Sequence, residues 1–283
     1  MWRPPTMRRS KGCGASYSKW ISTNPTSCGS PFLSGGRTIF GPCAGNPEKG
    51  VRREFEALGL DFDRRFSIFE EGLEILRQLW IDGSVTHEGN VYQYDDISFY
   101  SGTEMGPLMP IQRPPPFWIV SNPRLVTDAR DEKMVRTMKR ACRRILKYGE
   151  GWMTCCRAQH PEELTEQLGY LRAEAAEMGD DASRLVISYQ VTLNIGDSED
   201  GARSAFGEYI SQYYPELSKA LDLSNWGPVG PPDQSIEWFR TFRDAGVDHF
   251  ICRFGSLDQF GQVERFARDV LPALRGETPR SGG

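Results

Sequence analysis

Short apolar runs alternate with amphipathic segments along most of this chain, and that alternation is its strongest constraint on the fold. A strand that returns through a helix to a neighbouring strand gives a parallel sheet. The run FWIVS, which follows three prolines, is apolar on both faces, as buried parallel strands are. Five runs are predicted to be such strands: Arg37–Gly41, Phe117–Ser121, Gly151–Thr154, Leu185–Ile195 and His249–Phe254.

The segments between these runs predict helices and one hairpin. In the stretch after the first strand, apolar residues recur at intervals of three and four, which indicates an amphipathic helix. Its inward positions are expected to be Phe62, Phe66, Phe69, Leu73, Leu76 and Trp80. The sequence HEGNVYQY combines a turn at Glu88–Asn90 with alternating residues, so a short β-hairpin is expected there. Further helices are expected at Glu132–Lys147 and after Ser198, a predicted N-cap.

Composition and charge exclude several classes of function. The chain has 283 residues and a formal net charge of −4, so it lacks the basic surface that nucleic-acid binding requires. No run approaches the ~18 apolar residues of a membrane-spanning helix. The seven cysteines are scattered without a C-x-x-C pair, and the three histidines form neither a metal-spaced cluster nor a Ser-His-Asp arrangement. We therefore expect a cytoplasmic protein with no metal site and with neither nucleic acid nor membrane as a partner.

The two ends differ in composition from the middle. Residues 1–32 contain five basic residues and no acidic one, the first acid being Glu48, and they are rich in Ser, Gly, Thr and Pro. We expect this segment to be irregular or disordered rather than a secretory signal, and residues 276–283 to be a disordered tail. A single domain is therefore expected over residues 33–275.

A loop of small residues follows the first predicted strand and carries Gly41, Cys43, Ala44 and Gly45. Such loops let a backbone approach a phosphate or a flat ring closely. The loop is not a P-loop, because Lys and a hydroxyl residue do not follow Gly50, and it does not fit the G-x-G-x-x-G dinucleotide fingerprint. Its ligand has to be inferred from the rest of the chain.

Several stretches, in chain order, resemble the bacterial luciferase-like monooxygenase family. They are GGRTIFGPCAGN, REFEALGLDFDRRFSIFEEGLEILRQLW, RPPPFWIVSNP, YGEGWMT, AGVDHFICRF and VERFARDVLP, and together they cover roughly residues 33–275. The resemblance implies an α/β fold of the (β/α)₈ TIM-barrel type. The usual first strands of the family have no counterpart before residue 33, so an incomplete barrel of about five strands is expected. Open sheet edges invite pairing, and a homodimer is one way to cover them.

The resemblance implies an oxidoreductase that uses reduced FMN and oxygen, with a flavin reductase as a partner, to oxygenate a small organic substrate. A sister branch of the family uses a deazaflavin coenzyme and transfers hydride without oxygen, and the sequence does not separate the two. In either case the redox chemistry belongs to the cofactor, which the protein orients. A non-catalytic barrel remnant and a barrel enzyme with another phosphorylated ligand are the remaining hypotheses.

The resemblance also implies where the cofactor binds. The loop with Gly41, Cys43, Ala44 and Gly45 would lie at the C-terminal mouth of the barrel, where such enzymes place their chemistry. In the luciferase itself an arginine of this loop touches the flavin. Ala44 stands at the matching position here, so that contact is absent.

Two further regions match cofactor-contacting parts of the family. Ser121, Asn122 and Arg124 match the loop that meets the flavin and its phosphate, and small polar residues before a helix suit an anion; a plain turn is the alternative. Trp152 matches the strand under the flavin ring, with core packing as the alternative. Arg253 is a candidate for an anion contact at the mouth, with a surface position as the alternative. The sequence assigns no catalytic residue.

Overall fold

A computed structural model describes most of the predicted domain. The described residues are 36–46, 49–98, 110–123, 132–155, 160–215 and 223–276. The N-terminal segment 1–32, the tail from residue 277 and the candidate cofactor residue Arg124 lie outside them. The domain boundaries at residues 33 and 275 therefore stay predictions.

Helices and strands alternate through the described chain as the sequence predicts. The helices are α1 (Lys49–Ala57), α2 (Arg65–Asp82), α3 (Glu132–Tyr148), α4 (Pro161–Met178), α5 (Glu199–Tyr213), α6 (Pro232–Asp244), α7 (Gln259–Asp269) and α8 (Leu271–Arg275). The strands are β1 (Ser84–Glu88), β2 (Gln93–Ser98), β3 (Trp118–Val120), β4 (Gly151–Thr154), β5 (Val186–Ile195), β6 (Val229–Gly230) and β7 (His249–Phe254). The predicted hairpin is confirmed as β1 and β2, which pair antiparallel.

One parallel sheet forms the centre of the molecule. β4 lies between β3 and β5, and β7 pairs with β5 from Ser188–His249 to Leu193–Phe254. The two-residue β6 pairs with the end of β5. Four of the five predicted strands are confirmed to within one or two residues. The first, predicted at Arg37–Gly41, consists instead of two isolated parallel bridges to the β3 region, at Phe40 and Cys43.

The sheet is an open arc rather than a closed barrel. Its order runs from segment 40–43 through β3, β4 and β5 to β7. Among the described residues no pairing joins β7 back to segment 40–43. The expected α/β class and the incomplete barrel are therefore both found.

The two faces of the sheet have different neighbours. On one face, three neighbouring strand residues pack against α3 and α4 in the main hydrophobic core. The strands contribute Ile119, Trp152 and Ile187, and the helices contribute Met138, Ile145, Leu164 and Leu168. Alternate strand residues point to the opposite face, which we call the inner face. Its central row is formed by Gly41, Val120, Met153, Ser188 and His249.

One inward position of the first long helix is wrongly predicted. Leu73 and Trp80 of α2 are buried, and Phe62 is buried in a 3₁₀ turn just before it. Phe66 is instead 40% exposed. The Arg144 guanidinium lies 4.3 Å from its ring centroid, a cation–π contact that lets an aromatic ring stay near the surface.

A single carboxylate of α2 makes several hydrogen bonds to the hairpin. Glu71 accepts hydrogen bonds from the backbone N–H groups of Asn90, Val91 and Tyr92 at 3.0–3.1 Å, and His87 Nε2 lies 3.3 Å from it. Desolvation opposes ionisation of Glu71, but these hydrogen bonds outweigh it and hold its pKa below the ordinary value. The His87 side chain is only 16% exposed.

Replacing Glu71 with alanine should lower the free energy of unfolding by about 1–3 kcal/mol at neutral pH, because three N–H groups lose a charged acceptor. A depressed pKa means that this contribution is present above the ordinary glutamate pKa of about 4.3 and is lost as the pH falls through the lower, folded value. Urea unfolding at pH 7 and at pH 3 measures both effects. Glu56→Ala, at an exposed position of α1, is the matched control, and equal losses in the two variants would contradict the assignment.

α5 is not a barrel helix but an insertion above the sheet. A Cβ atom placed on Gly255, just after β7, would lie 2.2 Å from the Phe206 ring of α5. Phe206 therefore packs directly against the C-terminal ends of the strands. The helix that returns the chain along the sheet is α6, whose Trp238 and Phe239 pack against Phe250 of β7.

None of the helices in the described chain combines the length and the apolar character that crossing a membrane requires.

Candidate active site

The C-terminal ends of the parallel strands carry most of the residues that the sequence singled out. On the inner face, a Cβ atom placed on Gly41 would lie 3.2 Å from Met153 Cε and 3.6 Å from Val120 Cγ2. The three residues thus form one continuous apolar floor. Because Gly41 has no side chain, a flat ring can approach the backbone at this point of the floor.

The loop after Gly41 is shaped by one further glycine. Gly45 has φ +79°, a left-handed conformation that favours glycine, and a Cβ atom there would lie 3.0 Å from Val51 of α1. Cys43 bridges to Val120 on the sheet. Burial raises the pKa of the Cys43 thiol, against an opposing hydrogen bond from the Gly45 backbone. The thiol is therefore neutral at physiological pH and not a nucleophile.

Ser121 does not offer the free backbone N–H that an anion site needs. Its N–H donates to the Met153 carbonyl at 3.1 Å, and its own carbonyl accepts from Trp152 Nε1 at 2.8 Å. The Ser121 N–H is therefore not available to a phosphate, and its hydroxyl group is the part that can still contribute. The assignment of Ser121 to the cofactor site stays a prediction.

Asn122 joins the ends of β3 and β4. Its Oδ1 atom accepts from the Cys155 backbone N–H at 2.8 Å and lies 3.2 Å from Thr154 Oγ1. Within the described residues its Nδ2 group makes no hydrogen bond, and the residue is exposed. Asn122 can thus donate to a ligand at the mouth while its oxygen fixes the strand ends.

Trp152 lies in the core and not under a cofactor. Its side chain has no exposed surface and belongs to the cluster that joins the sheet to α3 and α4. The alternative of core packing, which the sequence left open, is the one found. The physical reason is strand alternation, which places Met153, the next residue, on the inner face instead.

Arg253 lies at the C-terminal end of β7 beneath the α5 insertion. Its Nε donates to Thr192 Oγ1 at 2.9 Å, and its Nη1 donates to the Tyr214 hydroxyl at 3.0 Å. The Trp226 ring centroid is 5.3 Å from the guanidinium carbon. Of the two alternatives for Arg253, the structure favours the mouth over an open surface.

Sequence reasoning missed three of these mouth residues: Thr192, Tyr214 and Trp226. One signal for Thr192 was available, because β5 has a polar residue at every second position from Ser188 to Asn194. That alternation predicts a polar inner face on this strand. Tyr214 and Trp226 belong to the insertion, and the sequence carries no comparable signal for where an insertion folds back.

Two of the three histidines lie away from this mouth, and the third, His249, lies on the inner face. His87 contacts Glu71 in the hairpin, and His160 precedes α4, where its Nδ1 lies 2.8 Å from Glu162. His249 begins β7, at the opposite end of the strand from Arg253. Desolvation lowers the pKa of His249. Its Nδ1 is 3.2 Å from Ser188 Oγ and its ring lies 4.9 Å from that of Trp118, so it belongs to the same row of the inner face as Met153.

Comparison with known proteins identifies the family. The model of the luciferase-like monooxygenase family matches residues 32–249, which is more than half of the chain. The chain belongs to the luciferase-like monooxygenase family. The expectation drawn from the six sequence stretches is thereby confirmed.

Proteins similar to this luciferase-like chain include F420-dependent dehydrogenases and a monooxygenase. An F420-dependent glucose-6-phosphate dehydrogenase of Rhodococcus jostii is 25% identical over 263 residues, which are 85% of this chain and 70% of that protein. Among solved structures, an F420-dependent secondary alcohol dehydrogenase has a TM-score of 0.62 at 17% identity, covering 87% of this chain and 75% of that one. The monooxygenase RslO1 of Streptomyces bottropensis has the same TM-score at 19% identity, covering 85% and 70%. At these identities the two structures show a shared fold.

Proposed function

We propose that this luciferase-like chain is a deazaflavin-dependent oxidoreductase, which transfers a hydride between coenzyme F420 and a small organic substrate with an oxidisable hydroxyl group. The observation that carries the proposal is the similarity, along 85% of the chain, to an F420-dependent dehydrogenase. This favours the alternative that the sequence left open over the first expectation, reduced FMN with oxygen.

The mouth has features that suit a flat cofactor. The floor of Gly41, Val120 and Met153 is apolar and continuous, and Gly41 leaves its backbone approachable. At the strand ends, the exposed Asn122 amide and the Ser121 hydroxyl are polar groups that would meet the cofactor. When bound, the deazaflavin would supply the two-electron acceptor. The residues of the floor would hold it and keep water from that face.

The substrate would bind between the inner face and the α5 insertion. Oxidation of an alcohol to a carbonyl removes a hydride from carbon and a proton from oxygen. Thr192, Arg253 and Tyr214 form a connected polar group at this place, suited to orienting substrate hydroxyl or anionic groups. The nearby rings of Phe206 and Trp226 limit access of water.

Turnover is tested by mixing the purified chain with F420 and single alcohols, including glucose-6-phosphate and simple secondary alcohols, in the absence of oxygen. The proposal expects the absorbance of the oxidised deazaflavin to fall only when a substrate is present, with one carbonyl formed per cofactor reduced. Oxygen-dependent consumption of reduced FMN, with no F420 reduction by any substrate, would favour the FMN monooxygenase. Binding of F420 without turnover would favour the non-catalytic remnant.

Gly41→Leu should weaken F420 binding at least about tenfold, or about 1.4 kcal/mol, because the new side chain occupies the floor where the ring would lie. Folding should change little, since the closest neighbour is the flexible end of Met153. Fluorescence titration gives the affinity and thermal unfolding checks the fold. Gly169→Ala on α4, where an added Cβ atom has no neighbour within 4 Å, is the control. Unchanged affinity in a folded Gly41→Leu protein would contradict this placement.

The FMN monooxygenase is the second candidate function. Its support is the likeness in fold to the monooxygenase RslO1 and the shared family. A flavin reductase is needed as a partner in this case alone, because in the deazaflavin reaction the substrate itself supplies the hydride.

A further inference from the structure

Gln167 is a polar residue at a core position of α4. The residues three or four positions away on the same helix face, Leu164, Leu168 and Leu171, belong to the main hydrophobic core. Gln167 itself is only 2% exposed, and within the described residues its buried Oε1 atom has no hydrogen-bond partner. A buried unpaired polar atom lowers the stability of a fold, whereas an apolar side chain at this position would complete the core face. The presence of glutamine here needs a reason outside the core.

The nitrogen end of the same amide supplies that reason. Gln167 Nε2 donates to the Pro123 carbonyl at 3.1 Å, across 44 residues of sequence. Because a carbonyl oxygen only accepts hydrogen bonds, this contact also fixes which atom of the amide is the nitrogen. Gln167 thereby ties α4 to the segment that leaves β3 at the mouth of the sheet.

The backbone is held in this way on both sides of Asn122. The Ser121 carbonyl accepts from Trp152 Nε1 at 2.8 Å, and the Pro123 carbonyl accepts from Gln167. Both donors belong to buried side chains. Asn122 in turn binds the end of β4 through its Oδ1 atom, which leaves its Nδ2 group for a ligand. The position of this Nδ2 group therefore depends on two side chains that lie beneath the surface.

We propose that Gln167 is a positioning residue for the cofactor site: it holds the Pro123 carbonyl and so keeps the Asn122 amide in the orientation that donates to the cofactor. The inference rests on the proposed function, in which Asn122 is one of the cofactor contacts. Gln167 itself touches no reacting group. Its effect on the cofactor passes through the backbone of Pro123 to the neighbouring side chain.

Gln167→Met separates positioning from packing, because methionine has nearly the shape of glutamine and no polar hydrogen. The substitution removes one hydrogen bond and also the buried unpaired oxygen, so the midpoint of thermal unfolding should shift by no more than about 3 °C. The F420 affinity, from fluorescence titration, should nevertheless fall about fivefold, the usual effect of one lost hydrogen bond. Gln167→Leu, a second apolar variant, should behave in the same way.

Ser235→Ala is the matched control for these two variants. The Ser235 hydroxyl on α6 is also buried and has no hydrogen-bond partner in the described part of the chain. Its removal should change neither the unfolding midpoint nor the F420 affinity. Unchanged F420 affinity in a folded Gln167→Met or Gln167→Leu protein would overturn the proposal.

A double-mutant cycle tests whether Gln167 acts through Asn122. Asn122→Ala should lower the F420 affinity on its own, and adding Gln167→Met to it should lower the affinity no further. Equal losses from Gln167→Met in the two backgrounds would mean that Gln167 acts elsewhere, and this would overturn the proposal. An Asn122→Ala protein that binds F420 as tightly as the wild type would overturn it as well.

A measurement without cofactor separates this inference from the proposed function. In NMR spectra of protein with isotope-labelled asparagine, the side-chain amide signals of Asn122 are those missing from the Asn122→Ala protein. Gln167→Met should shift these signals, and Ser235→Ala should leave them in place. A shift in a protein that does not bind F420 would support positioning by Gln167 and contradict the F420 assignment. Signals that stay in place in Gln167→Met would overturn the positioning, whether or not F420 binds.

Discussion

Replacing Trp152 with alanine should lower the free energy of unfolding by about 3–5 kcal/mol, the usual cost of deleting a large buried aromatic side chain. The ring has no exposed surface and lies where β4 meets α3 and α4. Its Nε1 group also donates to the Ser121 carbonyl, so the substitution releases the end of β3. Urea unfolding measures the loss, and a cost below about 1 kcal/mol would contradict the core assignment.

A milder substitution separates the role in the core from a role in cofactor binding. Trp152→Phe keeps most of the apolar volume and removes the indole N–H, so it should cost about 1–2 kcal/mol of stability. Because the ring does not reach the inner face, F420 affinity should stay within about twofold of wild type, or about 0.4 kcal/mol. A large loss of F420 affinity in a folded Trp152→Phe protein would instead support a role for Trp152 in cofactor binding.

The second large effect is expected between α3 and α4. The Glu174 side chain is fully buried, and it is paired with Arg143 and, at 3.1 Å, with Lys139. Desolvation opposes ionisation of Glu174, but the two cations outweigh it and hold its pKa below the ordinary value. Lys139→Met/Arg143→Met would leave a buried carboxylate without its cations, at a cost of about 3–5 kcal/mol near pH 7.

Removing the carboxylate instead of the two cations should cost much less stability. Glu174→Met leaves two cations whose side chains are 42% and 54% exposed, so water can solvate them, and the loss should stay near 0–1 kcal/mol. The double variant should also recover stability as the pH falls from the raised folded-state pKa of its unpaired carboxylate to the ordinary glutamate pKa of about 4.3, since the buried group then accepts a proton. Urea unfolding at pH 7 and pH 4 measures both effects. Equal losses in the two variants at pH 7 would contradict this account.

Most of the sheet could be predicted from the sequence because its strands are bounded by strong signals. Gly151–Thr154 follows a glycine turn, and His249–Phe254 lies between a helix and a Gly-Ser turn. The first strand was harder, because Arg37–Gly41 has only two large apolar residues, Ile39 and Phe40, and does not reveal how much of it pairs. In the structure only Phe40 and Cys43 form bridges, and Cys43 lies beyond the predicted end.

The directions of the side chains could be predicted less well. A strand of four residues such as Gly151–Thr154 does not show which of Trp152 and Met153 faces the helices, because both suit a core. Only the register with β5 decides it. The pattern of α5 likewise predicts an apolar face but not what covers it. Phe206 covers the strand ends at Gly255, an arrangement that depends on contacts distant in sequence.

The most direct test of the central claim is a pair of fluorescence titrations of the purified full-length chain, one with F420 and one with FMN. The proposed function predicts saturable binding of F420 and an affinity for FMN at least about tenfold lower, or about 1.4 kcal/mol. Saturable binding of FMN by a folded protein that shows no response to F420 would contradict the deazaflavin assignment.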